Sequence, residues 1–323
     1  MRGRRFNDLH KPFYMKPDGT SSNSDNYWER RQFIKTVSKV AGASLFFQAP
    51  FISNAISRNY EEWTVGKIMD LFIKEIPGAP FQNTVDTLKS GSRNTKVTGI
   101  VTTMFPTVEV INESIKAGAN FIIAHEPSFY NHQDETNWLK NDEVYEYKAG
   151  LLKKHNIAIW RNHDYIHSYK PDGVQSAVVT QLGWATYQDK EERSRINIPA
   201  TSLQALIQQI KQRLDIEMVR YIGDLKQSCS KLLLLPGAYG GKRQIEAIGK
   251  HKPDTVIVGE LQEWETAEYV RDARTKGMNL SLIIMGHSVS EEPGAAFMES
   301  WLKQHVPGVP VKHIPSGNPL SFL

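Results

Sequence analysis

Residues 121–127 have the sequence FIIAHEP, a short apolar run that leads directly into His125, Glu126 and Pro127. A continuous apolar run of this kind is consistent with a strand buried on both faces of a sheet. Pro127 favours an extended backbone at Glu126, so the imidazole and the carboxylate should point in different directions, as ligands of two neighbouring ions would. Taken alone, the pair is equally consistent with a hydrogen-bonded histidine at a strand end beside a surface carboxylate.

Two other apolar runs end in the same kinds of side chain. Residues 157–167, IAIWRNHDYIH, present His163 and His167, and residues 280–291, LSLIIMGHSVSE, present His287 and Glu291. Open α/β sheets bind their ligands at the carboxyl ends of their strands, and none of the three runs contains a cysteine. Together the runs predict a metal site with nitrogen and oxygen ligands that can hold two ions.

The spacing within the two later pairs is four residues, which would place each pair on one face of a helix. For His163 and His167 a loop is equally compatible with the sequence, because Pro171 and Gly173 follow closely. Asp164 could then ligate an ion or orient one of the rings.

Two further segments have weaker patterns. Residues 236–244, PGAYGGKRQ, form a glycine-rich turn between a strand and a helix, but Arg243 stands where a phosphate-binding loop needs Ser or Thr. A tight turn is the favoured interpretation, although the amides at the start of the helix could hold an anionic group. Glu260, Glu263 and Glu265 follow another apolar run and are either outer partners of a metal site or a solvated helix start.

Apolar runs alternate with segments of helical periodicity along most of the chain, which predicts βαβ units in mostly parallel sheets. Helices are expected over residues 107–116, 203–214 and 295–304, whereas residues 79–94 are rich in turn formers and poorly periodic. A strand followed by a histidine recurs near residues 125 and 287. We therefore expect an α/β fold of two pseudo-symmetric lobes, roughly residues 56–195 and 196–323, with the metal site between them and the C-terminal part packed back on the first lobe.

The first 55 residues have the pattern of an export signal. Residues 29–35, ERRQFIK, match the twin-arginine motif, and a weakly apolar run over residues 37–51 leads to the small residues Ser53 and Ala55. This run is shorter than the roughly 20 residues that span a bilayer, so a cleaved signal is favoured over a membrane anchor. The mature protein, residues 56–323, is expected to be periplasmic or otherwise outside the cytoplasm.

The charge of the chain is concentrated in this leader. Residues 1–55 hold nine of the 39 Lys and Arg residues but only four of the 35 Asp and Glu residues, so the remainder is nearly neutral. Bulk electrostatics therefore give no support to nucleic-acid binding or to a membrane-surface role. Cys229 is the only cysteine, which excludes an intrachain disulfide and favours a structural thiol.

The chain resembles the Nif-three-like family in four places: residues 97–130, the run that begins IAIWRNHDYIH together with PDGV after it, the glycine-rich turn, and GHSVSEE over residues 286–292. This resemblance implies a toroidal homohexamer with a dinuclear metal centre. It implies that His125, His287 and Glu291 are metal ligands and that His163 lies beside the metals. Glu126 stands where most members have a second histidine, and His167 stands where they have an aspartate ligand, so the mixture of nitrogen and oxygen ligands is kept.

The function predicted from these observations is that of an exported, metal-dependent hydrolase with two divalent ions, for which Zn, Mn and Fe are all compatible with the ligands. Its small-molecule substrate is not specified by the sequence. His163 is predicted to be a ligand or a proton shuttle. Some members of the family carry the name GTP cyclohydrolase type 2 homologue, but an exported protein would not meet cytoplasmic GTP. The alternative is a non-catalytic, oligomeric metal-binding or scaffold protein.

Overall fold

The computed structural model describes residues 62–321, so the predicted export signal lies outside the described residues. Two five-stranded sheets form the framework, in the orders β1-β4-β3-β2-β10 and β5-β7-β8-β9-β6. The ten strands are β1 Leu88–Ser90, β2 Ile100–Thr103, β3 Phe121–Ala124, β4 Ala158–Arg161, β5 Arg195–Ser202, β6 Arg220–Ile222, β7 Ser228–Leu235, β8 Thr255–Val258, β9 Ser281–Ile284 and β10 Val311–His313.

Helices connect most of these strands. They are α1 Val65–Ile73, α2 Val108–Lys116, α3 Glu143–Lys154, α4 Asp164–Ser168, α5 Gly173–Gln181, α6 Leu203–Leu214, α7 Gly241–His251, α8 Glu268–Thr275 and α9 His287–His305, with a π-helical turn at Glu263–Ala267 before α8 and short 3-10 turns at Asn137–Leu139 and Ala185–Tyr187. Among residues 62–321, none of the helices combines the length and the apolar character that crossing a membrane requires.

The apolar runs of the sequence are the central strands of the two sheets. β2, β3 and β4 are parallel to one another, and every residue of these strands is buried. In the second sheet β7, β8 and β9 are parallel, and β8 and β9 are fully buried. Burial on both faces is the reason that these strands are continuously apolar rather than alternating. The predicted α/β class with two lobes is confirmed.

The edges of the sheets are less apolar and were harder to predict. β1 lies within the turn-rich segment and pairs antiparallel with β4. In the second sheet, β5 pairs antiparallel with β7, and β6 pairs antiparallel with β9. These edge strands have few buried residues, so they lack the apolar run by which the central strands were recognised. The C-terminal strand β10 pairs parallel with β2 at the edge of the first sheet.

The last helix differs from the prediction. It was expected to begin at Ala295, after Pro293, but α9 begins at His287 and contains Pro293. Proline disrupts a helix because it lacks an N–H and its ring crowds the preceding turn. Here Pro293 is buried and is the seventh of the 19 residues of α9, so the helix continues through the proline beyond its first turn. The earlier start places His287 and Glu291 on consecutive turns of one helix.

Candidate metal centre

The three strand ends of the sequence prediction meet at one place in the structure. β3 leads into His125 and Glu126, β4 leads into the segment that carries His163 and His167, and β9 leads into His287 and Glu291 on α9. The Nε2 atom of His287 lies 3.1 Å from Oε2 of Glu291 and 3.2 Å from Oε1 of Glu126. The Nε2 atom of His125 lies 3.4 Å from Oε2 of Glu291. Residues far apart in the sequence therefore form one cluster between the ends of the two sheets.

The pair His163 and His167 lies on a short helix rather than in a loop. α4 spans Asp164–Ser168 with His163 as its N-cap, so both rings project toward the ring of His125. The ring centroids of His125 lie 4.8 Å from that of His163 and 5.1 Å from that of His167. The Nε2 atoms of the pair lie 3.8 Å from Glu126 and 3.9 Å from Glu291, respectively.

All four histidines of the cluster are oriented in the same way. Each Nδ1 atom contacts an oxygen outside the cluster: the Asn162 carbonyl at 3.3 Å for His125, Asp164 at 2.9 Å for His163, Asp172 at 3.1 Å for His167 and Glu260 at 3.1 Å for His287. A carbonyl or an ionised carboxylate can only accept a hydrogen bond, so Nδ1 carries the proton. The four Nε2 atoms therefore face inward, and this is the arrangement by which proteins orient metal-ligating imidazoles.

The charges of the cluster are strongly coupled. Burial by itself would lower the pKa of His287, but hydrogen bonds with Glu126, Glu260 and Glu291 outweigh it and raise that pKa to about 12. Burial would raise the pKa of Glu291, but the nearby rings of His125 and His287 outweigh it and bring this pKa well below its usual range. The pKa of Glu126 is also lowered, since contact with His287 outweighs its burial. The carboxylates thus converge on a point where positive charge is favoured.

The residues fit a divalent ion. His125, His163 and His167 can offer ligand atoms within 4.8 Å of one another, and so can His125, Glu126 and Glu291. The Nε2 atom of His125 is buried and has no hydrogen-bond partner among the described residues, although a buried polar atom normally has one. A ligand set of imidazoles and carboxylates without thiolate suits Zn, Mn or Fe. The cluster can therefore bind metal, as predicted from the strand ends.

Several residues that support the cluster were missed in the sequence. Asp86 lies in the segment without clear periodicity, yet its carboxylate accepts hydrogen bonds from the amides of His163 and Tyr165 at 2.8 and 2.7 Å and so caps α4. Burial raises the pKa of Asp86 to about 6, although these amides oppose the rise. Asp172 accepts bonds from the first amides of α5 and also contacts His167. An aspartate before a helix start is a signal that could have been recognised.

The three glutamates after β8 have different environments. Glu260 contacts His287, whereas Glu263 pairs with Arg220 at 2.5 Å. Glu265 lies against Gly241 at the start of α7, where a Cβ would fall within 2.6 Å of the Cβ of Glu265. Only Glu260 of the three therefore contacts a candidate ligand.

The glycine-rich turn before α7 is a packing feature of the cluster. Gly237 has φ +69°, and a Cβ added there would lie 2.1 Å from Oε1 of Glu291. The amide of Gly237 donates to the hydroxyl of Ser290 at 2.9 Å. The absence of a side chain at this position lets the backbone lie directly against a candidate ligand, which agrees with the interpretation as a tight turn.

The chain is similar to known proteins both in sequence and in fold. A family model described as Duf34/NIF3 (NGG1p interacting factor 3) matches residues 81–319. A GTP cyclohydrolase 1 type 2 homolog of Clostridium acetobutylicum is 26% identical over 231 residues, which are 67% of this chain and 80% of that protein. A protein of the same name from Clostridium perfringens is 26% identical over 64% of this chain and 78% of its own length.

Solved structures share the fold at lower identity. The Staphylococcus aureus hypothetical protein SA1388 has a TM-score of 0.64 and 18% identity, covering 81% of this chain and all of that chain. The Bacillus cereus protein related to NIF3 has a TM-score of 0.64 and 17% identity, covering 81% of this chain and 99% of that chain. At this level of identity the likeness concerns the fold alone.

Proposed function

Because the chain belongs to the Duf34/NIF3 family, whose members are associated with metals, we propose that it is a metal-dependent hydrolase of small molecules. Two divalent ions would be held by His125, Glu126, His167, His287 and Glu291. The observation that supports this most directly is the inward orientation of four imidazole Nε2 atoms toward two buried glutamates. Bound ions would supply Lewis acidity, which polarises a scissile bond and makes water more acidic.

The chain itself would supply ligand orientation and proton transfer. Burial lowers the pKa of His163 below its usual value, although the Asp164 carboxylate opposes this shift. Its ring is therefore neutral near pH 7, with the proton at Nδ1 toward Asp164 and a lone pair at Nε2. An imidazole in this state can accept a proton at Nε2 and return it to a leaving group. Asp86 contributes by fixing the amide of His163.

The hydrolase proposal is tested with the metal-loaded protein and a panel of phosphoesters, amides, cyclic nucleotides, pterins and GTP. We expect turnover of at least one class, abolished by a chelator and restored by added metal. His163→Asn should lower kcat about 10²–10⁴-fold at full metal content if His163 transfers a proton. If His163 is a ligand, the metal content of the variant falls instead. Silence of the fully loaded protein toward every class would contradict a hydrolase and favour a metal-binding or scaffold role.

GTP belongs in the panel because relatives carry the name GTP cyclohydrolase 1 type 2 homolog. Export would separate the protein from the cytoplasmic GTP pool, so a different physiological substrate is proposed for this chain.

We also propose export through the twin-arginine route, which is supported by Arg30 and Arg31 in their sequence context. Replacing both with lysine should leave the uncleaved precursor in the cytoplasm of a bacterium that has this pathway. Cell fractionation and the mass of the purified protein measure the outcome. The matched control replaces Arg4 and Arg5 with lysine and should be exported normally. Equal export of both double variants would contradict the assignment of the signal.

A further inference from the structure

Arg161 is a fully buried cation beside the cluster that the proposed reaction does not use. It is the last residue of β4, and its side chain is 0% exposed. A buried guanidinium is costly unless several partners satisfy it. Its Nε donates to the His125 carbonyl at 3.3 Å, and Nη2 donates to Oε2 of Glu126 at 3.1 Å. Every described partner of the Arg161 side chain therefore belongs to the segment that follows β3.

The two carboxylate oxygens of Glu126 have different surroundings because of Arg161. Oε2 accepts the hydrogen bond from the guanidinium. Oε1 faces the cluster, 3.2 Å from Nε2 of His287 and 3.8 Å from Nε2 of His163. Charge-assisted hydrogen bonds of this kind are among the strongest in proteins. The carboxylate is thus held in one orientation with a single oxygen directed at the candidate ligands.

The same guanidinium fixes the wall of the site. Nη1 donates to the His132 carbonyl and lies 3.6 Å from Oδ2 of Asp134. Asp134 in turn accepts hydrogen bonds from the amides of Ser128 and Phe129. The ring of His132 is placed 5.9 Å from that of His163. Arg161 therefore ties the orientation of Glu126 to the conformation of residues 128–134.

We propose that Arg161 is a positioning residue that makes Glu126 a ligand through one oxygen, by occupying the other, and that holds residues 128–134 against the metal centre. The inference rests on the proposed metal-binding function and deepens it. It concerns how many oxygens of Glu126 are available to an ion. A carboxylate whose second oxygen is free can bind an ion through both oxygens.

The test compares Arg161→Met and Arg161→Lys with the unmodified protein, using Zn²⁺ for affinity and Co²⁺ for the visible absorption spectrum. Loss of an outer partner of a metal ligand typically lowers affinity 10–100-fold, and we expect this for Arg161→Met. The Co²⁺ absorption should also weaken, because a second oxygen of Glu126 becomes free to coordinate and raises the coordination number. Arg161→Lys keeps the charge but cannot reach Glu126 and the His132 carbonyl together, so it should show a smaller loss in the same direction.

The matched control is Arg274→Met. Arg274 also donates to a side chain and to a carbonyl, those of Gln227 and Leu280, at 2.7 and 2.8 Å, but it makes no described contact with the cluster. Its variant should keep the Zn²⁺ affinity and the Co²⁺ spectrum. If Arg161→Met does not fold, Arg161→Lys decides the outcome. Unchanged affinity and spectrum in the folded Arg161 variants would overturn the inference, whereas absence of metal binding in the unmodified protein would overturn the proposed function itself.

Discussion

The His287→Ala variant is expected to lose most of its metal, while the unmodified protein should carry close to two ions per chain. His287 contacts both Glu126 and Glu291 through Nε2 and is oriented by Glu260 through Nδ1, so it lies at the centre of the charged cluster. Because loss of an outer partner alone costs 10–100-fold in metal affinity, loss of this ligand should cost on the order of 100-fold or more. Elemental analysis and titration against a chelator measure both quantities.

The control for this variant is His251→Ala. His251 is the last residue of α7, and its Nε2 atom lies 3.4 Å from Glu192. The control therefore also removes a histidine paired with a glutamate, but away from the cluster. It should retain the metal of the unmodified protein. Stoichiometric metal in His287→Ala would contradict the assignment of His287 as a ligand.

The metal-free protein gives a second measurement of the same contacts. The pKa of His287 is raised in the fold to about 12 from an ordinary value of 6.5. Such a group stabilises the fold fully below its unfolded pKa, and this stabilisation is lost as the pH rises from about 6.5 toward 12. An ion that takes this position must displace the proton, so metal affinity should increase with pH. His287→Ala should remove the pH dependence of the stability of the metal-free fold. It should also destabilise that fold by about 3 kcal/mol at neutral pH, because the carboxylates of Glu126 and Glu291 are left without their partner.

The central strands and the clustering of the candidate ligands could be predicted from the sequence for the same physical reason. Strands buried on both faces are continuously apolar, and a parallel arrangement brings their carboxyl ends to one edge. The sequence alone therefore predicts that His125, His163 and His287 lie close together. Their convergence at one cluster agrees with that expectation, while their role as ligands, the number of ions and the hexameric assembly stay predictions.

The outer partners of the cluster could not be predicted in this way. Asp86 caps α4 across about 77 residues of sequence, and Arg161 reaches Glu126 across about 35 residues. Such contacts depend on how the strands are ordered in the sheet, and no local periodicity encodes that order. The burial of Arg161 was also difficult to predict, because a charged residue at the end of a strand normally lies at the surface.

The Gly237→Ala variant is expected to unfold at lower temperature and to lose metal, although it adds only one methyl group. Gly237 has φ +69°, a conformation that costs other residues about 1–2 kcal/mol. The added Cβ would also lie 2.1 Å from Oε1 and 2.5 Å from Cδ of Glu291. Glu291 is only 4% exposed and lies among His125, His287 and the Gly237 backbone, so its carboxylate must be displaced from the cluster. We expect Zn²⁺ affinity to fall roughly 100-fold, the upper end of the range for loss of a residue that orients a metal ligand.

Gly240→Ala, in the same turn, separates the cost of the backbone conformation from the displacement of Glu291. Gly240 has φ +84°, but a Cβ added there would have no atom within 4 Å. This variant should therefore lose about 1–2 kcal/mol of stability from the backbone conformation and keep its metal. Thermal unfolding and Zn²⁺ titration of both variants measure the difference. If Gly237→Ala binds Zn²⁺ as tightly as Gly240→Ala, then Glu291 either tolerates displacement or does not hold an ion, and the close contact of the glycine-rich turn would be a matter of packing alone.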